Sequence, residues 1–163
     1  MTIKIVTDSS VQLTADEIEQ YDIQIVPLLV GFGGELTPDN TLSRADFDRQ
    51  MANSELLPTT SQPPIGSFVT LYDQLTADGS QVLSIHITET LSGTVNAARQ
   101  AAQLASGDVT VVDSKSADRG MSFQVLTAAR MAHAGADLAT ILAKIEVIRQ
   151  QTHVYLFVDT LDN

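Results

Sequence analysis

The 163-residue sequence has no cysteine, no tryptophan, few aromatic residues, and only nine lysines and arginines against twenty aspartates and glutamates. Each shortage excludes something. Without cysteine there is no thiol catalysis, no thiolate zinc site and no disulfide framework, and a reducing compartment, the cytoplasm, is the expected location. A net charge of −11 without a basic cluster argues against nucleic acid as a partner, because phosphate neutralisation needs grouped Lys and Arg. No run approaches the ~18 apolar residues of a membrane span, and the opening MTIKIVTDSS does not read as a signal peptide. There is no G-x-S-x-G elbow, no P-loop and no G-x-G-x-x-G after a strand. His86, His133 and His153 lack ligand-type spacing, so no metal or other cofactor is expected, and His86, alone in a strand, reads as a packed or half-exposed residue rather than a catalyst.

What is present is a folded domain. A hydrophobic content of 44% is too high for an acidic disordered tail, and a core of this size buries about 68–70% of the unfolded surface without help from a metal or disulfide. IKIVT at 3–7, IQIVPLLV at 23–30, VLSIHI at 82–87, VTVVD at 109–113 and VYLFV at 154–158 read as five strands, with Pro27 confining the second to an edge or splitting it. Thr14 with Glu17 and Ser43 with Asp46 mark helix starts. Further helices are expected after Pro64, over 94–105, over 119–133 with Gly135 as the stop, and from Leu138 through Ile148. The consecutive prolines of TTSQPP, residues 59–64, deny that segment regular structure. Strands alternating with helices give an α/β fold with a mainly parallel sheet and helices on both faces.

In such a sheet the ligand crevice lies beyond the carboxyl ends of the strands. Hydroxyl-rich clusters stand at three of them: Asp8-Ser9-Ser10, Thr88 through Thr94, and Asp113 through Ser116. Neutral hydroxyls and the free N–H groups of a helix start can hold an oxyanion without a cation, which suits a carboxylate. The charge distribution demands such a device. Residues 1–81 carry three basic and twelve acidic residues, and residues 82–163 carry six and eight.

Four segments resemble, in order and context, the DegV family of bacterial fatty-acid-binding proteins: Ile5-Val6-Thr7-Asp8-Ser9-Ser10, Thr60-Ser61-Gln62-Pro63, Leu91-Ser92-Gly93-Thr94 and Val112-Asp113-Ser114-Lys115-Ser116, with Val158-Asp159-Thr160-Leu161 continuing the pattern. The resemblance implies a DegV-like first lobe of a two-lobed α/β protein, spanning residues 1–163, that binds one long-chain fatty acid and presents its carboxyl group to a fatty acid kinase without itself being an enzyme. It implies that Thr60 and Ser92 hold the carboxylate, with Ser61, Gly93, Asp8 and Ser9 as accessories. Relatives of this family continue into a second lobe with basic residues, and the sequence, ending five residues after its last expected strand, is expected to be shorter than the gene product.

An acyl tail needs an apolar tunnel, and the small-residue helix 94–105, with Ala98 and Ala102, is expected to leave room for one. The rival reading is a small phosphotransferase or hydrolase using Asp8 with Ser9 or Ser10. It needs a base or metal beside Asp8, which the sequence alone does not reveal. A third is a pure interaction domain.

Overall fold

The computed structural model describes residues 2–155 and Phe157. In chain order the elements are β1 (Ile3–Asp8), α1 (Ala15–Gln20), β2 (Gln24–Val26), β3 (Leu29–Gly31), β4 (Thr37–Pro38), α2 (Arg44–Asn53), β5 (Thr59–Ser61), α3 (Ile65–Thr76), β6 (Gln81–His86), α4 (Thr94–Leu104), β7 (Val109–Asp113), α5 (Asp118–His133) and α6 (Leu138–Gln151). Local chemistry sets several of these boundaries. Thr14 Oγ1 accepts from the Glu17 N–H at 3.2 Å while the Glu17 carboxylate accepts from the Thr14 N–H at 2.8 Å, a reciprocal cap on α1. Ser43 Oγ accepts from the Asp46 N–H at 3.1 Å and starts α2. Gly135, at φ +83°, takes the left-handed turn that stops α5.

The strands β2, β1, β6 and β7 lie side by side in that order, all parallel. Side chains alternate across the sheet, so it has two cores. On one face Ile3, Ile5, Leu83 and Ile85 pack against Met121, Val125 and Ala128 of α5 and Ile141 and Ile145 of α6. On the other, Val6 and Val82 pack against Phe68 and Tyr72 of α3 and Ala97, Ala98 and Ala101 of α4. The mainly parallel sheet with helices on both faces is therefore the architecture.

Three expectations are corrected. Pro27 does split the run 23–30, but its second half leaves the main sheet: β3 pairs antiparallel with β4 and with β5, forming a separate small sheet. The TTSQPP segment is not wholly irregular, because Thr59–Ser61 are β5, and the prolines act only after it. A fifth strand does not form at Val154, Tyr155 or Phe157, which are exposed and have no strand partner among the described residues. Leu156 and Val158 lie outside the described residues, as do Asp159 to Leu161.

The alanines of α4 do not leave open space either. Phe68 and Tyr72, both fully buried, pack in one cluster with Ala97, Ala98 and Ala101, so the small side chains admit the rings of α3. Ala98→Phe is accordingly expected to overpack this core and cost about 1–3 kcal/mol in a denaturant titration.

Candidate functional site

Beyond the carboxyl ends of the main sheet, two segments about thirty residues apart in sequence meet. Thr60, Ser61 and Gln62, on β5 and just after it, face Leu91, Ser92 and Gly93, in the turn between β6 and α4, across a cavity of about 480 Å³ closed by Leu28 and Ile87. The sequence-expected pair Thr60 and Ser92 and the accessories Ser61 and Gly93 thus line one cavity. Among the described residues, no charged one lines it. Leu28, Gln62, Ile87 and Leu91 complete it, and nothing in their residue types singled them out: Leu28 reaches the site only because Pro27 breaks the strand.

The turn is built for this position. The Thr88 carbonyl accepts from the N–H groups of Leu91 at 3.0 Å and Ser92 at 3.2 Å. Ser92 Oγ lies 2.8 Å from Thr94 Oγ1 and accepts from the Thr94 N–H at 3.3 Å. Gly93 is the N-cap of α4 and supplies no side-chain cap; the Thr94 N–H is taken by Ser92 Oγ and the Asn96 N–H by the Gly93 carbonyl at 3.1 Å, so the cavity lies at the start of this helix. A Cβ on Gly93 would meet only the amide end of the flexible Gln62 side chain, which shows how closely the two segments approach.

An apolar groove of about 400 Å³ adjoins the cavity, with Leu28 and Thr60 common to both. It runs beneath the small sheet and α2, lined by Leu29, Val30, Leu42 and Phe47, with Asp39, Ser43 and Arg44 at its polar rim.

The Asp8 cluster lies elsewhere. Asp8 is fully buried beneath the cavity, and its Oδ2 accepts from His86 Nδ1 at 2.9 Å and from the Ile87 N–H at 3.0 Å. Its Oδ1 accepts from the Ser10 N–H at 3.1 Å and from Ser10 Oγ at 2.5 Å. Ser9 Oγ donates to Asp39 Oδ2 at 2.6 Å and accepts from the Leu28 N–H at 2.8 Å. Burial pushes the Asp8 carboxyl up, but the hydrogen bond from His86, with those from Ser10 and Ile87, outweighs it and holds the group below its ordinary range. A base therefore does stand beside Asp8, where the sequence alone offers no obvious one. The carboxylate is nevertheless saturated with donors and shut from solvent, and Ser9 and Ser10 are bound in place, an arrangement that holds loops rather than exposing a nucleophile. Neither Asp8 nor Ser9 lines the cavity.

The third hydroxyl cluster also stays apart. Asp113 accepts from the Lys115 N–H at 2.8 Å and pairs with Lys115 Nζ at 2.9 Å, while Gln124 Nε2 donates to the Ser114 carbonyl at 2.8 Å. Lys115 and Arg99 both reach Glu89, at 3.1 and 2.9 Å, so the cations nearest this edge are already neutralised. Among the described residues no group of three or more His, Asp or Glu is placed to hold a metal ion, and no helix is long and apolar enough to cross a membrane.

Comparison with known proteins places the chain in a family. The family model described as an uncharacterised protein family, DegV, matches residues 2–163. A DegV domain-containing protein of Lactococcus lactis is 47% identical over 163 residues, all of this chain and 59% of the relative, and one of Listeria monocytogenes is 48% identical over 99% of this chain and 58% of its own length. Among solved structures, a fatty-acid-binding DegV family protein of Thermus thermophilus superposes with a TM-score of 0.83 at 36% identity, covering 92% of this chain and 54% of that one. DegV of Bacillus subtilis, described as a fatty acid binding protein, gives 0.86 at 33% identity with the same coverage. The chain thus spans between half and three fifths of the length of these relatives. With the match running from residue 2 to residue 163, the chain belongs to the DegV family.

Proposed function

We propose that these 163 residues form a fatty-acid-holding lobe. The carboxylate of one long-chain fatty acid would sit between Thr60 and Ser92, with Ser61 and the N–H groups at Gly93 beside it, and the acyl chain would enter the adjoining groove of Leu29, Val30, Leu42 and Phe47. The observation that carries this reading is the meeting of Thr60 and Ser92 in one uncharged cavity that opens beside an apolar groove. The relatives of known structure described as binding fatty acids support it.

The energetics favour such a division. Burying some sixteen methylenes at ~0.8 kcal/mol each gives a gross gain above about 10 kcal/mol, partly lost to ordering, so the tail dominates affinity and the head group needs only a few hydrogen bonds. Neutral hydroxyls at a helix start meet that need in a strongly acidic protein. The role is that of a carrier, presenting the carboxyl group at the exposed cavity mouth to a fatty acid kinase, with the basic residues of a second lobe completing the site. The absence of cysteine favours a cytoplasmic setting.

The test is a fatty-acid titration of single variants. Thr60→Ala and Ser92→Ala should each weaken binding by about 1–3 kcal/mol, roughly fivefold or more, because each leaves a carboxylate oxygen short of a donor. Unchanged affinity in both variants would remove the head-group assignment.

A further inference from the structure

Beneath the cavity runs a chain of four buried polar side chains inside an otherwise apolar cluster. The Tyr72 hydroxyl donates to Ser84 Oγ at 2.8 Å, Ser84 Oγ lies 2.6 Å from His86 Nε2, and His86 Nδ1 lies 2.9 Å from Asp8 Oδ2. All four residues are fully buried. One set of protons satisfies every member: Tyr72 donates to Ser84, Ser84 to His86 Nε2, and the Nδ1–H to Asp8. The Ser-His-Asp order has the form of a hydrolase triad, yet Ser84 is closed off by Tyr72 and by the sheet, so no substrate reaches it. Replacing such a chain with apolar side chains of similar volume is often neutral or stabilising, so stability alone gives it little reason to exist.

Its location supplies one. We propose that Tyr72, Ser84, His86 and Asp8 are positioning residues of the carboxylate site, their hydrogen-bond chain fixing the distance between the arm that carries Thr60 and the arm that carries Ser92. This rests on the reading of the cavity as a carboxylate site. The first arm, Thr60 to Gln62, passes through Pro63 and Pro64, whose fixed φ stiffens the link, directly into α3. That helix is seated on β6 by Tyr72 and by Phe68, whose ring meets His86 edge-on with centroids 5.2 Å apart. The second arm begins where β6 ends at His86. The next residue, Ile87, lines the cavity and donates its N–H to Asp8, and the turn holding Ser92 follows from Thr88. Asp8 also anchors Ser10, next to the Ser9 that holds the Leu28 N–H, and Leu28 closes the cavity. One buried carboxylate and three partners therefore touch the supports of both arms without touching the cavity itself.

A structural role and a positioning role separate when two ligands with the same tail are compared. The 163-residue chain is titrated with hexadecanoic acid and with hexadecanol, in the wild type and in Tyr72→Phe, Ser84→Ala and Asp8→Asn. The wild type is expected to prefer the acid. Each variant should lose about threefold to tenfold in affinity for the acid, the worth of a misplaced hydrogen bond, with affinity for the alcohol unchanged. Tyr72→Phe removes only a hydroxyl and Ser84→Ala only an oxygen, so these two decide the matter if Asp8→Asn does not fold. Parallel losses for both ligands, or no loss in any folded variant while Thr60→Ala still weakens the acid, would overturn the positioning role and leave the carboxylate site standing. A wild type that does not distinguish acid from alcohol would overturn both.

Discussion

Asp8→Ala is expected to lower the stability of the folded chain at neutral pH by about 3–5 kcal/mol, because it breaks a buried, hydrogen-bonded acid–histidine pair by removing one partner. The loss has several parts. His86 Nδ1, the Ile87 N–H, and the Ser10 N–H and hydroxyl all donate to this one carboxylate, and the residue is fully buried. The same bonds give the effect a pH signature. The folded-state pKa of Asp8 lies below the unfolded value of about 3.9, so the stabilisation is fully present above roughly pH 4 and disappears as pH falls through the lower, folded value. Urea titrations at neutral pH and near pH 3 measure both. The variant should lose less stability than the wild type between the two, and an equal acid loss in both proteins would mean that Asp8 is not the group being protonated.

Phe68→Ala is expected to cost a similar amount, about 3–5 kcal/mol, by a different route. The ring is fully buried, lies 5.8 Å from Tyr72 between centroids, and forms the apolar wall on which His86 rests. Removing it deletes the transfer free energy of a phenyl group and leaves a cavity that the packed sheet cannot collapse to fill. At roughly 2–4 °C per kcal/mol for a domain of this size, the melting temperature should drop by on the order of 10 °C. Unlike Asp8→Ala, it should leave the acid dependence of stability in place. A drop within a degree or two of wild type would show that α3 is not seated on the sheet by this residue.

The two substitutions mark the boundary between what sequence pattern discloses and what it does not. The apolar positions Ile3, Ile5, Leu83 and Ile85 alternate in the sequence, and the caps at Thr14 and Ser43 are local, so β1, β6 and the helix starts are readable from a few residues each. Thr60 and Ser92 were nameable through the family resemblance, and the structure brings them to one cavity. The pairing of Asp8 with His86 is different. Each is the last residue of its own strand, they stand 78 positions apart, and they meet only because β1 and β6 are neighbours in register, Val6 opposite Ser84. Strand order is a tertiary fact that no local pattern encodes. Of the two readings of an isolated histidine in a strand, packed or half-exposed, His86 takes the first, and both its ring nitrogens are engaged. The small sheet was hidden for the opposite reason. Its strands are two or three residues long, one of them contains Pro38, and the others stand close to Pro27 and Pro63, so their pairing is invisible to a propensity argument that treats proline as a breaker. The alanines of α4 suggested room, and only the packing shows two aromatic rings of α3 occupying it.

Whether this chain holds a fatty acid through the cavity between Thr60 and Ser92 is read out by native mass spectrometry of the purified 163-residue chain. The expected result is an added mass equal to one C16–C18 fatty acid, displaced by excess palmitate and diminished in the Thr60→Ala, Ser92→Ala double variant. A chain that stays at its bare mass in the presence of excess fatty acid, or a double variant that keeps the adduct undiminished, would contradict it.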